Sequence, residues 1–169
     1  MTLALLKQFK ERLISILGYV LMVVVALLVF DVLWGVFSRY VMGAQSSWTE
    51  ELARFLLVWV VMLGGASAFA GREHLGLDYF VDKMDPVTQR KMRYFVDVAT
   101  LFFTLSILLW GGMRLTIDTF ALGQMLMALG IPKGYVYLAI PVSGIFFLVF
   151  AIEDMLAAMT ETDEEGDEA

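Results

Sequence analysis

The chain has 169 residues, is 60% hydrophobic and has a mean hydropathy of +0.77, so a soluble domain of this length could not bury its apolar side chains. It has no cysteine and one histidine, which excludes disulfides, thiolate-bound clusters and bis-histidine haem, and argues against a histidine-based metal site. The formal charge of −6 arises from residues 161–169, which hold six acids and no base. No basic stripe supports nucleic-acid binding.

Four long apolar runs predict an all-α integral membrane protein with four transmembrane helices. A helix of roughly 20 residues crosses a hydrocarbon core of ~30 Å. The predicted spans are residues 13–38, 48–70, 94–118 and 134–158. An even number of spans places both termini on the same side of the membrane, in a single domain of residues 1–160.

The segments outside the spans predict surface helices, a loop and an acidic tail. Short amphipathic surface helices are expected at the N-terminus, over residues 1–12, and between the second and third spans, over residues 79–93. A cleaved signal peptide is the alternative at the N-terminus, but the apolar run that follows is too long and lacks a small-x-small cleavage site. Residues 119–133 are expected to form a loop, and residues 161–169 an acidic disordered tail.

The distribution of basic residues predicts the orientation. The N-terminal segment holds three bases and residues 71–93 hold five, whereas the opposite side holds four. Bases are enriched in cytoplasmic segments, so both termini are predicted to be cytoplasmic.

The segment Ser47-Trp48-Thr49-Glu50-Glu51-Leu52-Ala53-Arg54 separates the first two runs and predicts a helix start at the membrane surface. Ser47 and Glu50 have the spacing of a capping box, in which each side chain accepts a backbone N–H of the other. Trp48 is the side chain expected at headgroup level. Further along this helix, the small residues 64–68 allow close helix packing, either within the subunit, which we favour, or with a partner.

Ionisable residues inside the spans are functional candidates because they are costly there unless paired. Asp31 and Arg54 lie at similar depth, roughly 10 Å below the outer helix ends at 1.5 Å per residue, and we expect them to pair. Arg39 is expected to pair with Glu50 or Glu51. Arg114 and Asp118 are four residues apart and could pair with each other or join this network. The alternative role for Asp31 is that of a proton or cation carrier.

No catalytic constellation is present, and an enzyme is not expected. His74 lies in a polar turn beside Arg72, Glu73 and Asp78, where a hydrogen-bonded loop histidine is favoured over a pH sensor. No Ser/His/Asp set, phosphate-binding glycine loop or carboxylate cluster at one depth occurs, and no cofactor is expected.

Several short motifs between residues 39 and 141 occur in a characteristic combination. They are Arg39-Tyr40, Trp48-Thr49-Glu50-Glu51-Leu52-Ala53-Arg54, Trp59, Leu63-Gly64-Gly65-Ala66, His74-Leu75-Gly76-Leu77-Asp78, Gly130-Ile131-Pro132 and Tyr137-Leu138-Ala139-Ile140-Pro141. With the four-span layout, this combination resembles the DctQ-like small membrane subunit of TRAP (tripartite ATP-independent periplasmic) transporters. The acidic tail is not part of the pattern.

The resemblance implies a multi-pass subunit of the bacterial inner membrane with cytoplasmic termini. It would sit in lipid beside a large elevator-type subunit that holds the substrate and sodium sites, and a periplasmic binding protein would deliver an organic acid such as sialic acid or a C4-dicarboxylate. The resemblance assigns Trp48, Glu50, Glu51 and Arg54, with Arg39 as counter-charge, to scaffold integrity and subunit contact. Residues 40–48 and 119–134 are the candidates for docking the binding protein.

Three alternatives remain open from the residues. The strongest is a self-sufficient homodimeric four-helix exporter that uses Asp31 as a proton-coupling carboxylate. A quinone- or haem-linked oxidoreductase is opposed by the lack of cysteine and the single histidine. The third is a structural membrane protein without a transport partner.

Overall fold

Helices account for most of the residues in the computed structural model, which describes residues 2–44, 46–71 and 85–167. The elements are α1 (Thr2–Tyr40), α2 (Ser47–Ala70), α3 (Pro86–Phe103), a π-helical segment (Thr104–Gly111), α4 (Gly112–Ala121), β1 (Met125–Leu126), β2 (Ile131–Pro132), α5 (Gly134–Tyr137) and α6 (Ala139–Asp167). His74 and part of the second predicted surface helix lie outside the described residues.

Within the described ranges, four helical stretches are long and apolar enough to cross a membrane. They are Lys10–Tyr40, Ser47–Ala70, Tyr94–Ala121 and Gly134–Glu153. The predicted all-α membrane protein with four spans is therefore confirmed, and each span lies within a few residues of its predicted position.

Helix α1 is longer than the first predicted span. Its 39 residues extend about 58 Å at 1.5 Å per residue, nearly twice the hydrocarbon thickness. Residues 2–12 are therefore helical, and they are continuous with the first span instead of separated from it. The reason is local: no proline or glycine interrupts residues 2–17, so the helix propagates without a new nucleation step.

The same continuity holds at two other predicted boundaries. Pro86 stands at the start of α3, as its fixed φ favours, and α3 then runs directly into the third span. Residues 86–93 are thus helical and continuous with the span, which begins at Tyr94. At the other end of the chain, α6 continues to Asp167, through most of the acidic segment. The disorder predicted for the tail stays a prediction.

The third span contains eight residues of π-helix, Thr104–Gly111, which the hydropathy pattern did not predict. Directly after it, Gly112 is buried against the start of α6. A Cβ atom at Gly112 would lie 2.7 Å from Cγ2 of Ile140 and 3.2 Å from Cδ of Pro141. The wider π turn therefore ends where only a glycine fits against the neighbouring helix.

The fourth span is interrupted once. Helix α5 ends at Tyr137 and α6 begins at Ala139, so Pro141 falls in the first turn of α6. The break has a direct cause, because a proline ring clashes with the carbonyl group four residues earlier in a continuous helix.

The four spans pack as an open row. α1 packs along α2, α2 also packs on α6, and α6 packs on the third span. A cluster of Leu17, Leu63, Ala66, Ala70 and Phe150 joins α1, α2 and α6. In the most apolar stretch of the first span, only 6% of the residues are buried. In the corresponding stretch of the fourth span, 33% are buried. Both broad faces of the row therefore stay exposed and apolar.

An ion pair closes the end of the row near the termini. Nζ of Lys10 lies 2.7 Å from Oε2 of Glu153, and both side chains are largely buried. Because this pair joins the first and last helices, residues 10 and 153 lie at the same end of the row, here called the terminal side.

The segment between α4 and α5 forms a β-hairpin on the opposite side. Met125 pairs with Pro132, and Leu126 with Ile131, in antiparallel register. Gly130 adopts φ +66°, a conformation that favours glycine, and its N–H donates to the carbonyl of Leu126 at 2.7 Å. The predicted loop thus includes a short ordered hairpin.

Candidate functional site

The start of α2 is where the sequence concentrates its polar candidates. The helix begins at Ser47, and its N-cap is Ser46, whose side chain makes no capping hydrogen bond. The hydroxyl of Thr49 donates to the Ser46 carbonyl at 2.7 Å. The predicted capping box of Ser47 and Glu50 is therefore not formed, because Ser47 is already helical and the box requires a non-helical N-cap.

Helices α1 and α2 approach closely beside this helix start. Thr49 is buried, and a Cβ atom at Gly35 would lie 3.3 Å from its Oγ1 atom. Buried residues recur on α2 at Thr49, Leu56 and Leu63, a spacing of seven that keeps them on one helix face. This face of α2 is the one that packs against α1 and α6.

Glu51 connects α2 to the hairpin. Its Oε2 atom accepts the backbone N–H of Ala128 at 2.9 Å and that of Leu129 at 3.1 Å. Hydrogen bonds to a carboxylate are roughly twice as strong as bonds between neutral groups. A side chain in the first turns of α2 thereby holds the tip of a hairpin 77 residues away in sequence.

Glu50 and Arg54 face away from that contact. The Nη2 atom of Arg54 lies 3.8 Å from Oε2 of Glu50, and both side chains are exposed. Trp48 is also 36% exposed, as an interfacial tryptophan requires. Arg39 lies 6.0 Å from the ring of Tyr40, and its predicted pairing with Glu50 or Glu51 is not among the contacts of the described residues.

Asp31 is buried, with 2% of its surface exposed, and neither carboxylate oxygen has a hydrogen-bond partner among the described residues. The predicted pair with Arg54 is therefore wrong. Matching depth was not sufficient, because Arg54 lies about 140° around α2 from Thr49 at 100° per residue, away from the buried face. Its guanidinium points to the exposed side, next to Glu50.

The third span carries the remaining predicted pair. Nε of Arg114 lies 3.8 Å from Oδ2 of Asp118, one helical turn away, and both side chains are exposed. Of the two arrangements open from the sequence, the local pair is the one formed. Exposed pairs at this spacing contribute little to stability, typically about 0.3–0.5 kcal/mol.

Three contacts between described residues had no sequence signal. The Glu51 contact to the hairpin and the Lys10–Glu153 pair both join residues far apart in the chain. Trp59 makes a third such contact, since its indole N–H donates to the carbonyl of Tyr135 at 3.3 Å. For the Glu51 contact, the two adjacent glutamates at the start of α2 are the one feature of the sequence that could have suggested an acceptor for backbone N–H groups.

Comparison with known proteins identifies the family. The sequence profile described as "Tripartite ATP-independent periplasmic transporters, DctQ component" matches residues 28–161, well over half of the chain. The chain belongs to the DctQ family. The resemblance inferred from the motifs is thus confirmed, and the DctQ chain is a small permease subunit of the TRAP type and not a member of an enzyme family.

Its relatives carry consistent names. A Haemophilus influenzae protein named as a TRAP transporter small permease is 26% identical over 91% of this chain and 92% of its own length. The sialic acid TRAP transporter small permease protein SiaQ of Vibrio cholerae is 24% identical over 91% and 87%. The isethionate TRAP transporter permease protein DctMQ of Oleidesulfovibrio alaskensis is 29% identical over 67% of this chain, which corresponds to 18% of that much longer protein.

Proposed function

We propose that this DctQ-family chain is the scaffold subunit of a sodium-coupled TRAP transporter. It would anchor and widen the static part of a large elevator-type subunit, while that partner holds the substrate and sodium sites and carries the substrate across. The chain's own contribution would be mechanical, because a rigid frame lets the moving domain slide without displacing the whole complex.

The observation that carries this proposal is the open row of helices. A row of four spans leaves two broad apolar faces, each able to contact lipid or a partner subunit. Apolar helix faces in a membrane associate through close packing with a partner. A frame that braces a larger protein needs such a face along its whole length.

The relatives support a large partner. In DctMQ of Oleidesulfovibrio alaskensis, the segment that matches this chain is part of one long permease polypeptide. Fusion within one chain keeps two parts permanently adjacent. We infer that the partner of this chain corresponds to the rest of that polypeptide, a large TRAP membrane subunit.

The substrate is proposed at the level of its class. The relatives are named for sialic acid and for isethionate, both organic anions. An organic acid of this kind, delivered by a periplasmic binding protein, is the substrate class we propose. The chain would lie in the bacterial inner membrane with the terminal side in the cytoplasm, as the distribution of bases predicts. Residues 40–48 would then face the periplasm and help to dock the binding protein.

The exporter alternative is not favoured. The family is that of a permease subunit of a tripartite transporter. Asp31, its proposed coupling carboxylate, is enclosed by helix packing at 2% exposure. A carrier carboxylate has to reach water on each side of the membrane in turn, and no described neighbour offers Asp31 a hydrogen bond in this state.

The test is co-expression of this chain with the large TRAP membrane subunit of the same organism, followed by affinity purification in mild detergent. We expect a stable complex of the two chains. Proteoliposomes containing both should accumulate the organic acid down a sodium gradient when the binding protein is added. Either chain alone should give no uptake, and solute accumulation by the small chain alone would contradict the proposal.

Cross-linking would then map the contact. The chain contains no cysteine, so single cysteines can be introduced without removing any native residue. Val61 on α2 and Phe102 in the third span are both exposed on the row and suit this purpose. A cross-link to the large subunit from at least one such position is expected; Leu63, which is buried in the core, is the matched control that should give none.

A further inference from the structure

The β-hairpin lies beside α2 and does not project beyond its end. Its tip is hydrogen-bonded to Glu51, in the first turns of α2. Helical side chains lean toward the helix N-terminus, which brings the Glu51 carboxylate back to about the level of Trp48. The tip therefore lies at the depth that interfacial tryptophans occupy.

The segment that follows the hairpin contacts α2 farther from the start of that helix than the hairpin tip does. Tyr135, three residues after β2, accepts the indole N–H of Trp59 through its carbonyl. Trp59 is twelve residues from the start of α2, about 18 Å along the helix at 1.5 Å per residue. Helix α2 measures about 36 Å in total, against a hydrocarbon core of ~30 Å. The segment directly after the hairpin thus contacts the middle of α2, and the hairpin tip contacts its first turns.

The large exposed side chains of the hairpin segment are apolar, with Gln124 as the polar exception. Met127 is 93% exposed, Leu122 is 72% exposed and Met125 is 50% exposed. The Tyr135 ring, also exposed, stacks edge-on against Phe120 with centroids 5.2 Å apart. Apolar side chains beside interfacial aromatics are the composition of a segment that lies in the headgroup and acyl boundary.

Backbone N–H and C=O groups of the hairpin have the hydrogen-bond partners that this environment requires. Non-helical backbone at membrane depth is tolerated only where its N–H and C=O groups have partners, because the bilayer core offers no water. β1 and β2 pair with each other, the N–H of Lys133 donates to the Gln124 carbonyl, and Gly130 closes the turn. The N–H groups of Ala128 and Leu129 are at the tip, where strand pairing does not reach, and Glu51 accepts both.

We propose that residues 122–132 form an interfacial membrane anchor, with Leu122, Met125 and Met127 inserted into the lipid boundary on the hairpin side. Glu51 is the positioning residue that supplies acceptors for the exposed backbone N–H groups. The occupant of this apolar surface is lipid, because the two contacts to α2 set its depth inside the membrane, where a soluble protein does not reach. Residues 119–134, one of the two candidate segments for docking the binding protein, would then contact lipid instead.

The experiment measures depth with spin labels on single cysteines. The full chain, with the subunits that co-purify with it, is reconstituted into liposomes of phosphatidylethanolamine and phosphatidylglycerol. Labels are placed by Met127→Cys, by Ala44→Cys as the water-exposed control and by Val61→Cys as the control facing lipid within the span. Collisions with oxygen, which partitions into lipid, and with a water-soluble nickel chelate then give the depth of each label.

We expect the Met127 label to lie about 5–10 Å below the phosphate level, between the two controls. Adding Glu51→Ala should raise its accessibility to nickel to that of the Ala44 label, whereas Glu51→Gln, which keeps one oxygen acceptor, should shift it less. A Met127 label as accessible to nickel as the Ala44 label would overturn the proposal. So would a label protected from both reagents, since it would mean that a protein surface covers the hairpin.

Discussion

Replacing Ala66 with leucine should destabilise the chain, because Ala66 is fully buried where α1, α2 and α6 meet. Its exposure is 0%, and its neighbours in the core include Leu17, Leu63 and Phe150. Leucine adds three carbon atoms where the structure leaves no surface free. Overpacking of this kind typically costs about 1–3 kcal/mol. For a protein of this size each kcal/mol corresponds to roughly 2–4 °C in the unfolding midpoint, so we expect a drop of about 2–12 °C.

The matched control lies two residues further along the same helix. Ala68 is exposed on the open face of the row, so Ala68→Leu should leave the midpoint of the isolated chain within about 1 °C. Unfolding of both variants can be followed by intrinsic fluorescence in mild detergent, since the chain has four tryptophans. Equal midpoints for the two variants would refute the assignment of the small residues of α2 to packing within the subunit. Loss of the large subunit from Ala68→Leu alone would instead place a partner on that face.

Three further predictions concern single contacts. Asp31→Asn should change the free energy of unfolding by less than about 1 kcal/mol, because the carboxylate has no ion pair with any residue that the structure describes; a loss of about 3–5 kcal/mol would show that it is paired. Glu153→Gln should lower the unfolding midpoint by weakening the contact with Lys10, and the double charge exchange Lys10→Glu/Glu153→Lys should recover part of it; no recovery would show that the pair does not couple the helices. Gly134→Ala should cost about 1–3 kcal/mol, because its methyl group would lie 2.5 Å from the Phe120 ring, and Phe120→Ala in the same chain should relieve that cost; an unchanged midpoint in Gly134→Ala alone would contradict the observed packing.

Local pattern determined a large part of this protein. The length of each apolar run predicted the four spans, because the bilayer sets a minimum helix length that hydropathy along the chain reports directly. The motif around Trp48 predicted both the start of α2 and the family, since these depend on residue types at short spacing. Pro86 likewise predicted the start of a helix, through its own restricted φ.

Other features were decided only when the helices packed. Depth along a helix follows from counting residues, but the direction in which a side chain points relative to its neighbours depends on how the helices are rotated and paired. That rotation buries Asp31 without a hydrogen-bond partner in the described part of the chain and leaves Arg54 on the exposed face, so a pair that matched in depth was not formed. The contact between Glu51 and the hairpin joins residues 77 apart, and local pattern contains no information about such a distance. Sequence thus determined which segments enter the membrane, and the tertiary structure decided which charges meet there, because meeting depends on helix rotation and on long-range contacts.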